Sequence, residues 1–234
     1  MSAIKLRENV WSVGILNPSL RVFDIVMTSP YGTSYNAYLV KGGEKTALIE
    51  TVHKDYFDQL VHNIEEVLPL EKLDYLIMNH TEPDHSGSVR ALLERCPNLT
   101  VLCSNPAKKF LSAIANEDFP CRVVKDGDTL DLGGKTLTFL SAPLLHWPDS
   151  MFTWCPADQT PFTCDFLGCH FCEPTMVDTG IHAEYRVHYE AELKNYFDCI
   201  FGPFKLAVLD GLNKMPAEAQ LVCTSHGPCL TPAT

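Results

Sequence analysis

Ten residues at positions 79–88, N-H-T-E-P-D-H-S-G-S, constrain this chain more than any other feature. They follow the apolar run DYLIM (74–78), which reads as a short buried strand. They lead into SGSVRALLERC, which reads as a helix opening on small residues. Loops at the C-terminal ends of strands are where α/β proteins build sites. His80, Glu82 and Asp84 alternate, so an extended backbone can turn all three to one side. Pro83 removes a backbone donor and stiffens the turn. A loop that only caps the next helix needs one polar group, and Asp84 or Ser86 would serve. Four ionisable groups in six residues exceed that need.

The rest of the chain alternates β and α patterns. NVWSVGIL, RVFDIV, TSYNAYLVK and KTALIET are short β-rich runs separated by turn residues. In HKDYFDQLVHNIEEVL, Phe57, Leu60, Val61, Ile64 and Val67 share one helical face. LTVLCS reads as a strand, and NPAKKFLSAIA opens a helix with Asn and Pro at cap positions. The second half repeats the order. CRVV, DTLDL, KTLTFLSA, MFTWC and PFTC read as strands, AEYRVHYEAELKNYFDCIF as one long amphipathic helix, and LVCTS as a last strand after FKLAVLDGL. Strands then helices, twice over, predicts two β-plus-α halves packed sheet against sheet. There is no linker or low-complexity stretch, so residues 1–234 are expected to form a single domain. This organisation alone leaves several layered α/β folds open.

Composition narrows the function. The net charge of −11 disfavours nucleic acid but would not repel a basic protein patch. The start, MSAIKLRENVWSVG, lacks the apolar core of a signal peptide, and no run is long enough to span a bilayer. A cytoplasmic location without membrane contact is expected. The ten cysteines are then expected as free thiols, several of them small buried hydrophobes in strand-like runs such as VLCS and LVCTS. No G-x-S-x-G, P-loop or G-x-G-x-x-G occurs, which removes support for serine-nucleophile and nucleotide-binding readings.

Three more strand ends carry ligand-type residues: His146 in LLHWPDS, Asp165 in PFTCDFLG and His226 in LVCTSHGP. The blocks HTEPDH, HWPDSMFT, CDFLGCHF and TSHGP resemble the diiron domain of flavodiiron proteins, a variant of the metallo-β-lactamase fold. The spacing is H-x-E-x-D, then 61 residues, H, 18 residues, D, 60 residues, H. The resemblance covers essentially the whole chain and implies an αββα sandwich holding two iron ions. It implies that His80, Glu82 and His146 hold one iron, that Asp84 and His226 hold the other, and that Asp165 bridges them. His85 matches the last His of the motif. That position binds metal in hydrolytic relatives and often does not in flavodiiron proteins, so its role stays open.

The chemistry of the residues agrees independently. Three carboxylates and three imidazoles form a hard, anionic set that suits iron or manganese better than a thiolate site would. Zinc hydrolases of this fold read H-x-H-x-D-H; here Glu82 replaces the second His, and the added negative charge favours a ferric, redox role. His170, five residues after Asp165, is a candidate for orienting a ligand. Cys169 and Cys172 form a lone C-x-x-C, for which plain buried thiols are the leading reading. His182 and His188 read as ordinary, and Trp147, Met151 and Tyr196 as packing with a pocket role in reserve.

Flavodiiron enzymes continue into a flavodoxin domain, and FMN from a second subunit feeds the iron site in a head-to-tail dimer. Neither a flavodoxin domain nor FMN is expected in this chain, while a homodimer stays open. A diferrous pair supplies two electrons, whereas reducing O₂ to water needs four, so a site without flavin should slow or stall with oxygen bound. The resemblance to flavodoxin-less oxygen-binding relatives tied to bacterial chemotaxis therefore implies an O₂ sensor acting on a chemotaxis kinase complex. Two alternatives stand beside it: an O₂ or NO reductase supplied by a separate flavoprotein or rubredoxin, and a zinc-dependent hydrolase.

Overall fold

A computed structural model describes residues 2–116 and 118–232. Strands β1 (Ile4–Arg7) and β2 (Val10–Ser12) begin the chain. Two small ribbons follow: β3 (Ile15–Asn17) pairs with β6 (Thr33–Tyr35), and β4 (Val22–Phe23) with β5 (Met27–Thr28). Then come β7 (Tyr38–Lys41), β8 (Thr46–Ile49), helix α1 (Phe57–Glu65), β9 (Tyr75–Met78), α2 (Pro83–Ser86), α3 (Val89–Arg95), β10 (Thr100–Cys103), α4 (Asn105–Ala115) and β11 (Arg122–Val123). These build a seven-stranded sheet ordered β1-β2-β7-β8-β9-β10-β11. Its last four strands run parallel. β8 is buried along its whole length and β9 nearly so, as expected for central parallel strands covered on both faces.

The second sheet holds five strands in sequence order: β12 (Thr129–Asp131), β13 (Thr136–Ser141), β14 (Met151–Cys155), β15 (Thr160–Cys164) and β16 (Cys223–Thr224). Only β15 and β16 pair in parallel. The two sheets meet face to face: Tyr38, Val40, Ile49, Ile77 and Leu102 of the first share a core with Leu137, Phe139, Met151 and Phe162 of the second. The outer face of the first sheet packs on α1, α3 and α4 through Leu60, Ile64, Leu92, Ala107 and Leu111. That of the second packs on α5 (Arg186–Tyr196) and α6 (Lys205–Lys214) through Phe152, Phe166, Tyr196, Phe201 and Val208. This is the expected αββα sandwich. Among the described residues no helix is long and apolar enough to cross a membrane.

Local departures from the sequence reading have identifiable causes. RVFDIV is a hairpin rather than one strand, because Asp24 (φ 46°) and Ile25 (φ 70°) turn the chain back. TSYNAYLVK divides at Asn36, whose buried amide donates to the carbonyls of Thr224 and Gly227 at 2.8 Å each. The stretch 183–201 is not one amphipathic helix. A 3-10 turn opens it, α5 buries only Tyr189 and Tyr196, and a π turn (Phe197–Phe201) closes it. Gly202 and Pro203 then break the path before α6, since proline clashes with the preceding turn. Likewise SGSVRALLERC starts its helix only at Val89, while Pro83–Ser86 form a separate turn within the ligand motif. A side chain at Gly87 would sit 2.5 Å from the Pro83 carbonyl oxygen, so glycine lets the two helical turns abut.

Candidate metal centre

Four strand ends converge at one edge of the sandwich. His80 and Glu82 follow β9, Asp84 and His85 ride on α2, His146 lies between β13 and β14, Asp165 directly follows β15, and His226 lies two residues past β16. His80, Glu82, His146 and Asp165 form one group of potential ligands, and Asp84, His85 and His226 form a second; within each, the ligand atoms all lie within 4.8 Å of one another. Glu82 Oε2 is 3.3 Å from His80 Nε2 and 3.1 Å from His146 Nε2. Asp84 Oδ2 is 3.0 Å from His226 Nε2.

Asp165 joins the two groups. Its Oδ2 lies 3.2 Å from His146 Nε2 and 3.5 Å from His80 Nε2. Its Oδ1 lies 3.0 Å from His85 Nε2 and 3.5 Å from His226 Nε2. One oxygen faces each group. His85, left open by the sequence, turns its Nε2 into the second group and is fully buried.

The hydrogen bonds show what this arrangement lacks. His226 Nδ1 lies 2.7 Å from the Ser34 carbonyl oxygen, so Nδ1 donates there and the Nε2 lone pair faces the Asp84 carboxylate. His80 Nδ1 donates to Asp149 at 3.1 Å, which turns its Nε2 onto Glu82 and Asp165. Each ring thus turns its Nε2 onto carboxylate oxygens, an arrangement that calls for positive charge; hydrogen bonds to Asp149 and Glu82 raise His80 against burial, and a bound cation answers the same demand. Both Asp84 oxygens are also buried without a hydrogen-bond partner. Protons fill the role only partly. Burial opposes charging His146 and His85, yet hydrogen bonds to Asp165 and Glu82 lift His146 to about 9. The Asp84 and Asp165 charges lift His85 to about 10. Asp165 and Glu82 are held below the ordinary carboxyl range, against burial, mainly by these histidines. Two metal ions fit the same demand for positive charge with a better-matched geometry.

Residues behind the ligands fix their orientation. Asp149 is fully buried and also accepts from the Thr81 backbone at 2.8 Å and the Thr81 hydroxyl at 2.7 Å. Glu50 accepts from the Asn79 backbone at 2.7 Å, and burial pushes its carboxyl up to about 8. Sequence reasoning missed Asp149, Ser34 and Glu50. Asp149 had a signal, because it lies inside the HWPDSMFT block, whereas Ser34 and Glu50 had none.

The remaining candidates separate. His170 lies outside both ligand groups: its Nδ1 pairs with the Thr33 hydroxyl at 2.9 Å, and its ring packs 4.2 Å from Phe23 and 4.9 Å from His226. Burial and the nearby His226 push it down to about 2, so it is neutral. Tyr196 and Trp147 do wall the site, with ring centroids 5.0 Å from His170 and His80 respectively. Met151 belongs to the inter-sheet core. Cys164 reaches into a third group with His85 and Asp165, but burial and the Asp165 charge hold its thiol protonated. Among the described residues, neither Cys169 nor Cys172 joins any group of three potential ligands. His182 and His188 are exposed. Glu82 and Asp84 open onto a cavity of about 220 Å³ walled by Phe23, Asp24, Tyr35 and His53.

The fold and this paired carboxylate–imidazole cluster define a metallo-β-lactamase-like protein of the diiron type. Comparison with known proteins agrees: the family model described as "ODP family beta lactamase" matches residues 33–197, and the chain belongs to that family. It is 54% identical over 234 residues to the flavo-diiron protein FprA2 of Clostridium acetobutylicum, covering 99% of this chain and 58% of that one. The solved rubredoxin oxygen:oxidoreductase of Desulfovibrio gigas superposes with a TM-score of 0.92 at 32% identity, over 98% of this chain and 57% of that one. The flavodiiron protein of Giardia intestinalis superposes with a TM-score of 0.91 at 28% identity, over 99% and 56%. The chain thus spans somewhat over half the length of these relatives.

Proposed function

We propose that this chain is the oxygen-reducing metal module of a flavodiiron-type oxidoreductase. His80, Glu82 and His146 would hold one iron, Asp84 and His226 the other, with Asp165 between them and His85 available to the second. The observation that carries the reading is the split of the Asp165 carboxylate between two ligand groups. The relative named for oxygen:oxidoreductase chemistry gives the substrate class. When bound, the iron pair would supply electrons to dioxygen. The chain's own residues supply the rest. Asp149 and the Ser34 carbonyl hold the His80 and His226 tautomers. Phe23, Trp147 and Tyr196 wall the centre with rings. Asp24 lies at the mouth with Glu82, where burial and the Glu82 and Asp84 charges raise its carboxyl above the ordinary value. Electrons would come from a flavin or rubredoxin-type donor outside the described residues.

The chemotaxis-sensor expectation gains no support from the relatives, which carry oxidoreductase and flavoprotein names. Zinc hydrolysis is disfavoured by Glu82, which takes the place of an imidazole in the hydrolytic motif. The deciding experiment loads the protein anaerobically with ferrous iron, adds O₂ with excess reductant, and follows O₂ uptake. Uptake continuing well past one O₂ per iron pair is expected. A single binding event that leaves a persistent colour would instead support a sensor, and a zinc-filled site inert to O₂ would sink the redox reading.

A further inference from the structure

Two pairs of thiols approach each other away from the ligand atoms: Cys103 Sγ and Cys121 Sγ at 3.4 Å, and Cys223 Sγ and Cys229 Sγ at 3.8 Å. They differ in access. Cys223 and Cys229 are 1% and 0% exposed. Cys103 is sealed as well, but Cys121 is partly exposed just ahead of β11. β11 is a two-residue edge strand in register with β10 at Leu102–Arg122 and Cys103–Val123, and Val124 N donates to the Cys103 carbonyl at 3.0 Å.

We propose that Cys103 and Cys121 form a reversible disulfide by exchange with a low-molecular-weight disulfide, a modification site separate from the metal centre. The Cys121 thiolate attacks one sulfur of the small disulfide; that S–S bond breaks, and the first small thiolate leaves. Cys103 then loses its proton to solvent and attacks the Cys121 sulfur, releasing the second small thiolate. Two protein thiols are oxidised and one small disulfide is reduced to two thiols, so the electrons balance. The order follows from access and burial, because burial and the neighbouring Cys121 hold the Cys103 thiol well above its ordinary range.

The geometry needs little change. A disulfide has sulfurs about 2.05 Å apart, so the pair must close by about 1.3 Å. Cys121 makes that movement, since it lies outside the sheet, just ahead of a short edge strand. Cys103 is held in place: β10 lies between β9 and β11, and the adjacent Ser104 donates to the Asp149 carbonyl at 2.8 Å and accepts from Ala107 N at 3.2 Å. The bond closes the segment carrying α4 and staples the sheet edge. The ligand atoms stay where they are, so metal content should not depend on the state of this pair.

The test uses the whole chain, metal-loaded and reduced, equilibrated in glutathione buffers of increasing oxidised fraction. Samples are acid-quenched, alkylated, digested and read by mass spectrometry. The expected product is a peptide pair joining Cys103 to Cys121, two hydrogens lighter, reversed by dithiothreitol, with unchanged metal content. Cys103→Ser should stop at one glutathione on Cys121. A wild-type protein that also stops there, or that keeps both thiols alkylatable at every ratio, overturns the proposal. The sealed Cys223–Cys229 pair provides an internal comparison.

Discussion

Replacing Asp149 by Asn isolates the support behind one half of the metal centre. The native carboxylate is fully buried and accepts three hydrogen bonds, from Thr81 N, the Thr81 hydroxyl and His80 Nδ1. Asparagine keeps the shape and can still accept from Thr81, but its amide nitrogen then meets the His80 Nδ1–H donor to donor. The imidazole must rotate or exchange its proton to Nε2, which removes the lone pair aimed at Glu82 and Asp165. A hydrogen bond to a charged group contributes about 1.5–3 kcal/mol, and outer-shell partners of metal ligands typically change affinity by about 10–100-fold. A loss of about 2 kcal/mol is therefore expected, roughly 30-fold in affinity. The loss should fall on the ion held by His80, Glu82 and His146 and spare the other. Chelator competition monitored by elemental analysis resolves two release steps, and only the step for the His80 position should shift. Unchanged release of both ions, or earlier release of the ion near His226, would refute the reasoning.

Asp165→Ala should empty both positions, whereas His226→Ala should keep about one ion per chain, since among the described residues only Asp165 faces both groups; metal content per chain after gel filtration distinguishes them. Metal-free and metal-loaded protein should respond oppositely to pH. In the metal-free fold His146 and His85 titrate near 9 and 10, above the ordinary imidazole value of about 6.5. Their stabilising contribution is full below about 6.5 and is lost as pH rises through 9 to 10. Metal must displace those protons, so the loaded form should instead lose stability as pH falls. Melting temperatures across pH 6 to 10, with and without chelator, check this, and parallel curves would contradict it.

Much of this is legible in the sequence itself. The H-x-E-x-D-H block is local, and an apolar strand ending in alternating polar residues leaves its backbone little choice, so β9 and the placing of His80 and Glu82 read directly. The proposed bridging role of Asp165 came through resemblance alone; nothing in PFTCDFLG says that its two oxygens face different partners. Asp149 was overlooked because a second carboxylate behind a ligand has no spacing rule of its own. Ser34 contributes through its backbone carbonyl, which any residue type could supply. The long helix misread at 183–201 shows the other limit: apolar periodicity continues through Phe197 and Phe201, while the register slip of a π turn depends on what packs beneath it.

The spread of ligands along the chain has a consequence for biosynthesis. His226 follows His80 by 146 residues, and β16, which delivers it, is the last strand added to its sheet. A growing polypeptide carries His80, Glu82, Asp84 and His85 long before their partners exist. That early fragment offers an open, flexible donor set with no imposed geometry, and such sites follow the intrinsic affinity order, in which copper and zinc outrank ferrous iron. In the folded chain Asn36 ties down the loop around His226, so the donor set there has a fixed shape. A metal taken up after β16 has paired would be chosen by shape as well as by affinity.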